Sequence, residues 1–188
     1  MQIEPTDLPG VVAITPRRFG DARGWFAETF SARAMAAAGL PVDFVQDNQS
    51  FSAAPGTLRG LHFQRPPHAQ AKLVRCTRGA IRDVAVDIRR GSPTWGAWVA
   101  VELSAENGRQ LLVPKGFLHG FVTLTPDAEV QYKCTDFYAP ETEGAVRWDD
   151  PDLCIDWGLA GLAPQLSAKD AVAPAFRDLD SPFVWEAP

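Results

Sequence analysis

The sequence predicts an all-β fold, most naturally a jelly roll, and three observations lead to this prediction. Sixteen prolines and fifteen glycines are spread through the 188 residues and divide the chain into short segments. About ten of these segments have the length and composition of strands. The long connections that parallel strands require are absent. Many short strands separated by turns are typical of a β-sandwich, a barrel or a jelly roll.

Alternation of apolar side chains defines the individual strands. Val84, Val86 and Ile88 share one face of the clearest strand, and Trp95 and Leu103 bound a second alternating run. Turn-forming residues at 78–79, 91–93 and 106–108 fit between the strands. The predicted strands are 11–14, 25–30, 42–46, 58–64, 72–77, 82–88, 95–103, 111–113, 117–124 and 130–138.

Only two segments are predicted to be helical, and both are short. Residues 31–38 are rich in alanine, begin with Ser31 as a plausible N-cap and end at Gly39. A second turn begins at Ser167 and must stop near Pro174. No repeat, linker or charge run divides the chain, so residues 1–188 are predicted to form a single domain with a few short peripheral helices.

Composition excludes several classes of partner. The net charge is -5 and the isoelectric point about 5.2, so no basic field is available for nucleic acid. No apolar stretch approaches the length of a membrane span, and the first ten residues lack the pattern of a secretion signal. Three widely spaced cysteines without a CxxC pair favour reduced thiols. We therefore expect a cytoplasmic protein that binds neither nucleic acid nor membrane.

The most concentrated polar segment is the predicted strand 58–64. In a regular strand Arg59 and His62 point to opposite faces, so they converge only if the backbone is irregular, and Gly60 is where a bulge forms most easily. His62 is then a candidate general base on a rigid strand. The alternative is a half-buried histidine that bonds to a backbone group.

Lys72 and Tyr132 are candidates because each shares a strand face with core residues. Lys72 lies on the side of Val74 and Cys76, where an ammonium group is costly to bury unless it meets an anion such as an enolate oxygen. The alternative is a lysine that extends to solvent at a sheet edge. Tyr132 shares its face with Cys134 and either donates a proton into a wet cavity or packs in the core. Spacing alone does not decide between the two roles of Tyr132.

Asp170 has two possible roles. The segment 167–170 has the S-x-x-D form of a capping box, which favours a capping role at a helix start. Its alternative is to orient the histidine base through Nδ1 and so fix the tautomer of the ring. His119 lies on a face with Phe117 and Phe121 and is expected to be a core histidine or a support for the site.

The sequence also allows a test for a metal site. His62 and His68 are separated by the Pro66-Pro67 loop. The compact His-x-His followed by a carboxylate, which is typical of metal-binding double-stranded β-helices, is absent. Phosphate-loop, dinucleotide-binding, nucleophile-elbow and HExxH motifs are missing as well. We expect no metal ion in the site.

Taken together, these segments resemble the dTDP-4-dehydrorhamnose 3,5-epimerase family in order and spacing from about residue 10 to residue 175. Ala71, Leu118 and Gly158 depart from the family pattern, which usually has Gly, Ala and Pro there, and the first two can reshape the pocket. The matching stretches are 21–28, 44–48, 58–64, 69–75, 114–121, 132–133, 148–151 and 166–170.

The resemblance implies a cupin-type jelly roll, which is a double-stranded β-helix, acting as a homodimer that exchanges an edge strand. It also implies a reaction without metal or organic cofactor. The implied substrate is dTDP-4-dehydro-6-deoxyglucose, inverted at C3 and C5 to dTDP-4-dehydro-L-rhamnose.

The resemblance further assigns roles by position. It makes His62 the base, Asp170 its partner, Tyr132 the acid and Lys72 the group that stabilises the C4 enolate. Arg23, Phe26 and Glu28 are expected to serve the pocket of the partner subunit. The implied substrate-binding residues are Arg23, Phe26, Glu28, Gln46, Asn48, Arg59, His119, Tyr138 and Lys169.

Three alternatives stay open at this point. The first is a related enzyme that inverts one carbon only or moves the ketone from C4 to C3. The second is a metal-dependent cupin dioxygenase, and the third is a sugar-binding module without catalysis. The pattern of deuterium incorporation, metal analysis and turnover measurements would separate them.

Overall fold

The computed structural model describes residues 1–40 and 42–186. Nearly all of its regular structure is β-strand, which confirms the predicted all-β class. In chain order the strands of the described residues are β1 (Gln2–Pro5), β2 (Val12–Thr15), β3 (Arg18–Asp21), β4 (Gly24–Ala27), β5 (Gln46–Ser52), β6 (Leu58–Gln64), β7 (Lys72–Arg78), β8 (Ala80–Asp87), β9 (Trp98–Ser104), β10 (Gln110–Val113), β11 (Phe117–Thr123), β12 (Ala128–Cys134) and β13 (Glu143–Ala145).

Two antiparallel sheets face each other. One has six strands in the order β1-β2-β10-β7-β12-β5, and the other has five in the order β13-β6-β11-β8-β9. From β5 onward the chain crosses between the sheets at nearly every step, since only β8 and β9 are consecutive neighbours in one sheet. This alternation is the jelly-roll, cupin-type topology that the sequence predicts. A separate hairpin of β3 and β4 lies outside both sheets.

Three apolar clusters hold the layers together. The first lies between the two sheets and includes Val74 and Val130 from one sheet and Phe117 and Phe121 from the other. The second packs the opposite face of the five-stranded sheet against the C-terminal part of the chain, including Trp157. The third covers the six-stranded sheet with helix α1 (Ala32–Ala37). Strand β11 is therefore buried along its whole length, which explains its nearly continuous apolar sequence.

The predicted helices are present and short. Ser31 is the N-cap of α1 and accepts a hydrogen bond from the backbone N–H of Ala34, and Gly39 follows the helix with φ of +76°. The predicted turn after Ser167 contains a 3-10 helix at Asp170–Val172. Two further 3-10 turns, Pro140–Thr142 and Phe176–Asp178, were not predicted. In the described part of the chain, no helix combines the length and apolar character that spanning a bilayer would require.

Strand β6 was predicted with its observed ends, whereas other boundaries were wrong. The strand predicted at 42–46 lies before β5. The prediction missed β5 because the inward residues of β5 are polar and show no apolar alternation. The strand predicted from Trp95 begins at Trp98, since a turn with Gly96 at φ of +75° comes first. The strands predicted as 25–30 and 130–138 end earlier, at Ala27 and Cys134. Strands β1, β3 and β13 were missed.

Candidate active site

A bulge in β6 determines which side chains reach the space between the sheets. Gly60 has φ of +135°, and the pairing of β6 with β11 shifts between His119 and Phe121. A Cβ atom on Gly60 would lie 2.6 Å from the Cα of Gly120, so only glycine fits there. The bulge turns Arg59 and His62 toward the same cavity, as the sequence predicted for an irregularity at this position.

His62 is bonded to a buried carboxylate. Its Nε2 lies 2.6 Å from Oδ1 of Asp170, which is only 4% exposed. Because a carboxylate accepts hydrogen bonds, Nε2 carries the hydrogen and Nδ1 keeps its lone pair. The predicted contact through Nδ1 is therefore wrong: the 3-10 turn presents Asp170 to the distal ring nitrogen. Burial lowers the pKa of His62 below 6.5, although Asp170 acts in the opposite direction.

The capping interpretation of the segment 167–170 is half correct. The backbone N–H of Asp170 donates to Oγ of Ser167 at 3.1 Å, as a capping residue would require. The carboxylate of Asp170 points elsewhere, to His62. The same local sequence thus starts the turn and supplies the partner of the imidazole.

Lys72 and Tyr132 face His62 from the opposite sheet. They lie on β7 and β12, which are neighbours in the six-stranded sheet, and Lys72 Nζ is 5.8 Å from the centre of the Tyr132 ring. Lys72 does not extend to solvent from an edge strand, because β7 lies between β10 and β12. Burial lowers the pKa of Lys72 and raises the pKa of Tyr132. The phenol therefore keeps its proton at neutral pH.

These side chains line two adjoining cavities that share His62, Lys72 and Tyr132 as common walls. The larger, of about 500 Å³, is also bounded by Arg59, His119, Lys169 and Asp170. The smaller, of about 400 Å³, is also bounded by Gln46, Asn48, Gln64, Tyr138 and Glu143. The combined space has the size of a ligand with a sugar and further groups attached.

Glu143 is a site residue that the sequence analysis missed. Its Oε2 accepts a hydrogen bond from the Tyr138 hydroxyl at 3.1 Å and forms an ion pair with Lys169. Burial acts to raise the pKa of Glu143, but Lys169 and Tyr138 together hold it below 4.5. A single glutamate on a three-residue edge strand carries no recognisable sequence signal.

His119 lies on the wall of the larger cavity and pairs with a second carboxylate. Its Nε2 is 2.8 Å from Oδ1 of Asp83, which is fully buried on β8. His119 is also the direct cross-strand neighbour of His62. Asp83 was not predicted as a site residue, since on alternation alone it is simply one polar residue on a strand.

Arg23, Phe26 and Glu28 are not brought to these cavities. Arg23 and Phe26 lie on the exposed β3–β4 hairpin, and Glu28 directly follows it. Phe26 is 69% exposed, and the Arg23 side chain pairs only locally with Asp21. In residues 1–40 and 42–186, no group of three or more His, Cys, Asp or Glu side chains has the geometry to hold a metal ion.

The fold and the cavity together define a jelly-roll enzyme with a carboxylate-paired imidazole on one sheet and a lysine and a tyrosine on the other. Residues 5–178 match the family model of dTDP-4-dehydrorhamnose 3,5-epimerase. The chain belongs to this family.

Individual relatives agree with the family match. The dTDP-4-dehydrorhamnose 3,5-epimerase of Pseudomonas aeruginosa is 56% identical over 174 residues, which cover 92% of this chain and 94% of the relative. A crystal structure of the dTDP-6-deoxy-D-glucose-3,5-epimerase of Legionella pneumophila with dTDP-4-keto-L-rhamnose superposes with a TM-score of 0.93 at 47% identity, covering 99% of each chain. A 3'-monoepimerase of Streptomyces bikiniensis with dTDP-quinovose gives 0.84 at 38% identity, covering 91% of this chain and 86% of the other.

Proposed function

We propose that this chain inverts C3 and C5 of dTDP-4-dehydro-6-deoxyglucose and so forms dTDP-4-dehydro-L-rhamnose. One observation carries the proposal: the imidazole–carboxylate pair and the phenol lie on opposite walls of one cavity. Inversion requires a proton to leave one face of the sugar ring and another to arrive at the opposite face. A base on one sheet and an acid on the other satisfy this requirement.

In the proposed mechanism His62 is the base. Nδ1 removes the hydrogen from the carbon beside the C4 ketone, and the electron pair of the broken C–H bond moves onto the C4 oxygen. Asp170 stabilises the imidazolium that forms and keeps the ring in its orientation. Lys72 stabilises the negative charge on the C4 oxygen.

Tyr132 then donates its proton to the carbon from the other side and recovers a proton from solvent, while His62 releases the abstracted proton to solvent. The same sequence at the second carbon completes the reaction. The oxidation state of the sugar does not change, because each C–H bond that breaks is formed again. The chemistry therefore needs no redox cofactor.

The remaining residues are proposed to bind the nucleotide. Arg59 and Lys169 border the larger cavity and supply positive charge for a diphosphate. Gln46 and Asn48 border the smaller cavity with amide groups, and exposed Tyr138 is placed to stack on a base. The Legionella relative was crystallised with dTDP-4-keto-L-rhamnose, which supports a ligand of this chemistry.

The β3–β4 hairpin supports a homodimer in which each copy completes the site of the other. Its aromatic residues Phe19, Trp25 and Phe26 are 52% to 69% exposed, which is unusual for a surface that stays free. We propose that the hairpin lies against the partner subunit and brings Arg23, Phe26 and Glu28 to its cavity.

The cytoplasm is the proposed compartment. Cys76 and Cys134 are buried and Cys154 is exposed, and all three are free thiols. Unpaired thiols are typical of proteins in reducing compartments.

Incubation in deuterium oxide tests the activity. NMR should find deuterium at both C3 and C5 of the product, and a coupled 4-keto reductase should consume it. Label at C3 alone would instead support a single-carbon epimerase like the Streptomyces relative. The absence of label at both carbons would contradict the whole proposal.

Mixing two inactive variants tests the shared site. Arg23→Ala and His62→Ala should each be inactive alone. When equal amounts of the two variants are unfolded and refolded together, half of the dimers contain one copy of each variant. Each mixed dimer has one intact site of two, so about a quarter of the normal activity should return. A mixture that stays inactive although mixed dimers form would contradict the shared site.

A further inference from the structure

A buried carboxylate beside the catalytic groups has no role in the mechanism above. Asp83 lies on β8 between Ile81 and Ala85, both of which belong to the apolar cluster between the sheets. It therefore points into the space between the sheets. Lys72 points into the same space, because it shares one face of β7 with Val74 and Cys76. Asp83 is 0% exposed.

Only half of this carboxylate is satisfied by a hydrogen bond. Oδ1 accepts from Nε2 of His119 at 2.8 Å. Oδ2 is buried and has no hydrogen-bond partner among the described residues. A carboxylate in such a place is costly to bury unless positive charge lies close by.

Lys72 is the basic side chain that enters this space from the opposite sheet. None of the ion pairs in residues 1–40 and 42–186 includes Lys72. A lysine that forms no ion pair and a carboxylate whose Oδ2 has no partner thus enter one space from opposite sheets. The titratable groups that share a cavity with Lys72 or act on its pKa are Asp83 on β8, His119 on β11, Arg59 and His62 on β6, Tyr132 and Cys134 on β12, Glu143 on β13, and Tyr138, Lys169 and Asp170 outside the strands. Asp170 is already paired with His62.

The other acidic neighbours of Lys72 are not available as counter-charges. Burial raises the pKa of Cys134, so its thiol is neutral at neutral pH. Glu143 is already paired with Lys169. Burial lowers the pKa of Lys72, and among the acidic groups that oppose this shift Asp83 is the one with an oxygen, Oδ2, left without a partner.

We propose that Asp83 is a positioning residue whose charge keeps Lys72 in its ammonium form and whose Oδ1 fixes the tautomer of His119 on the cavity wall. This role rests on the proposed function of Lys72 as the group that stabilises the C4 enolate. A neutral amine at position 72 would leave that oxygen without a cation. Asp83 lines neither cavity and does not touch the reacting carbons in this scheme, so it acts through its two neighbours, Lys72 and His119.

The substitution Asp83→Asn removes the charge, keeps the shape and still offers an oxygen to Nε2 of His119. A unit charge several ångströms away in a partly screened interior changes a pKa by about one unit or more. The chain has four lysines, Lys72, Lys115, Lys133 and Lys169, so ¹³Cε-labelled lysine resolves the titration of each by NMR. The variant Lys72→Arg assigns the signal of Lys72.

The pKa of Lys72 should fall by about one unit or more in Asp83→Asn. The alkaline limb of the kcat/KM profile should shift to lower pH by the same amount, and the affinity for dTDP should equal that of the wild type. Asp87→Asn is the matched control. Asp87 lies on the same strand and is equally buried, but it bonds to Arg89, Ser92 and Thr94. This control should lower stability without moving the Lys72 signal.

An unchanged Lys72 titration in a folded Asp83→Asn variant would overturn the proposal, even if the variant is less stable. Should the variant not fold, the wild-type titration decides. The pKa of Lys72 should lie well above about 5–6, the range to which burial without a counter-charge brings a lysine. The NMR readout needs no substrate, so a failure of the proposed epimerase activity would be seen separately, in the turnover assay.

Discussion

Replacement of Asp170 by Asn tests the central pair of the proposed site. The substitution keeps the size of the side chain and the backbone N–H that bonds to Ser167. It removes the negative charge that lies 2.6 Å from Nε2 of His62. The nucleotide-binding residues do not change, so the variant separates proton transfer from binding.

The expected loss follows from the geometry. While His62 holds the abstracted proton, its positive charge and the carboxylate charge are centred about 4 Å apart, which at an effective dielectric constant of about 20 corresponds to about 4 kcal/mol. Because each 1.36 kcal/mol changes a rate about tenfold, kcat should fall about a thousandfold. The high effective dielectric constant is appropriate because the His62 side chain is 27% exposed.

Rates of C–H exchange at C3 and C5, measured by NMR in deuterium oxide, provide the assay, and titration with dTDP gives the affinity. The dTDP affinity should stay within about threefold of the wild type. Asp178→Asn, an exposed carboxylate in the next 3-10 turn, is the matched control and should leave both quantities unchanged. If Asp170→Asn kept a tenth or more of the wild-type exchange rate, the role assigned to Asp170 would be refuted.

Three further predictions follow from the same structure. The profile of kcat/KM against pH should be bell-shaped. Its acid limb should be centred below pH 6.5 because burial lowers the pKa of His62, and its alkaline limb below pH 10.5 because burial lowers the pKa of Lys72. An acid limb centred above pH 6.5 would contradict this prediction. Tyr132→Phe should keep deuterium exchange but reduce formation of the inverted product, measured by the coupled reductase assay, by about a hundredfold or more. An equal loss of exchange and of inverted product would show that Tyr132 is not specifically the acid. Gly60→Ala should lower the free energy of unfolding, measured by urea titration, by about 3 kcal/mol, because the residue has φ of +135° and its new methyl would lie 2.6 Å from the Cα of Gly120. Unchanged stability would mean that the bulge tolerates a side chain.

Much of the fold was predictable because most strands alternate apolar residues toward one of three clusters. Strand β6 and its bulge were predicted together, since Gly60 is the one position that lets Arg59 and His62 face the same side. Strand β5 was misplaced for the opposite reason. Its inward residues, including Gln46 and Asn48, line a cavity and are polar, so hydrophobic periodicity does not mark the strand.

The site residues were recoverable only in part from the local sequence. The inward direction of Lys72 and Tyr132 followed from their apolar neighbours on β7 and β12. The partner of His62 did not, because the two residues are 108 positions apart and the local pattern around Asp170 equally describes a helix cap. Asp83 likewise acquires a meaning only when the second sheet places Lys72 opposite it.

The division of the proposed catalytic groups between two sheets has a consequence for refolding experiments. Either sheet alone, with all its strands formed, would hold only half of the machinery. Recovery of turnover should therefore lag behind the recovery of the far-ultraviolet circular dichroism signal. For this chain, turnover is a reporter of the closure of the sandwich.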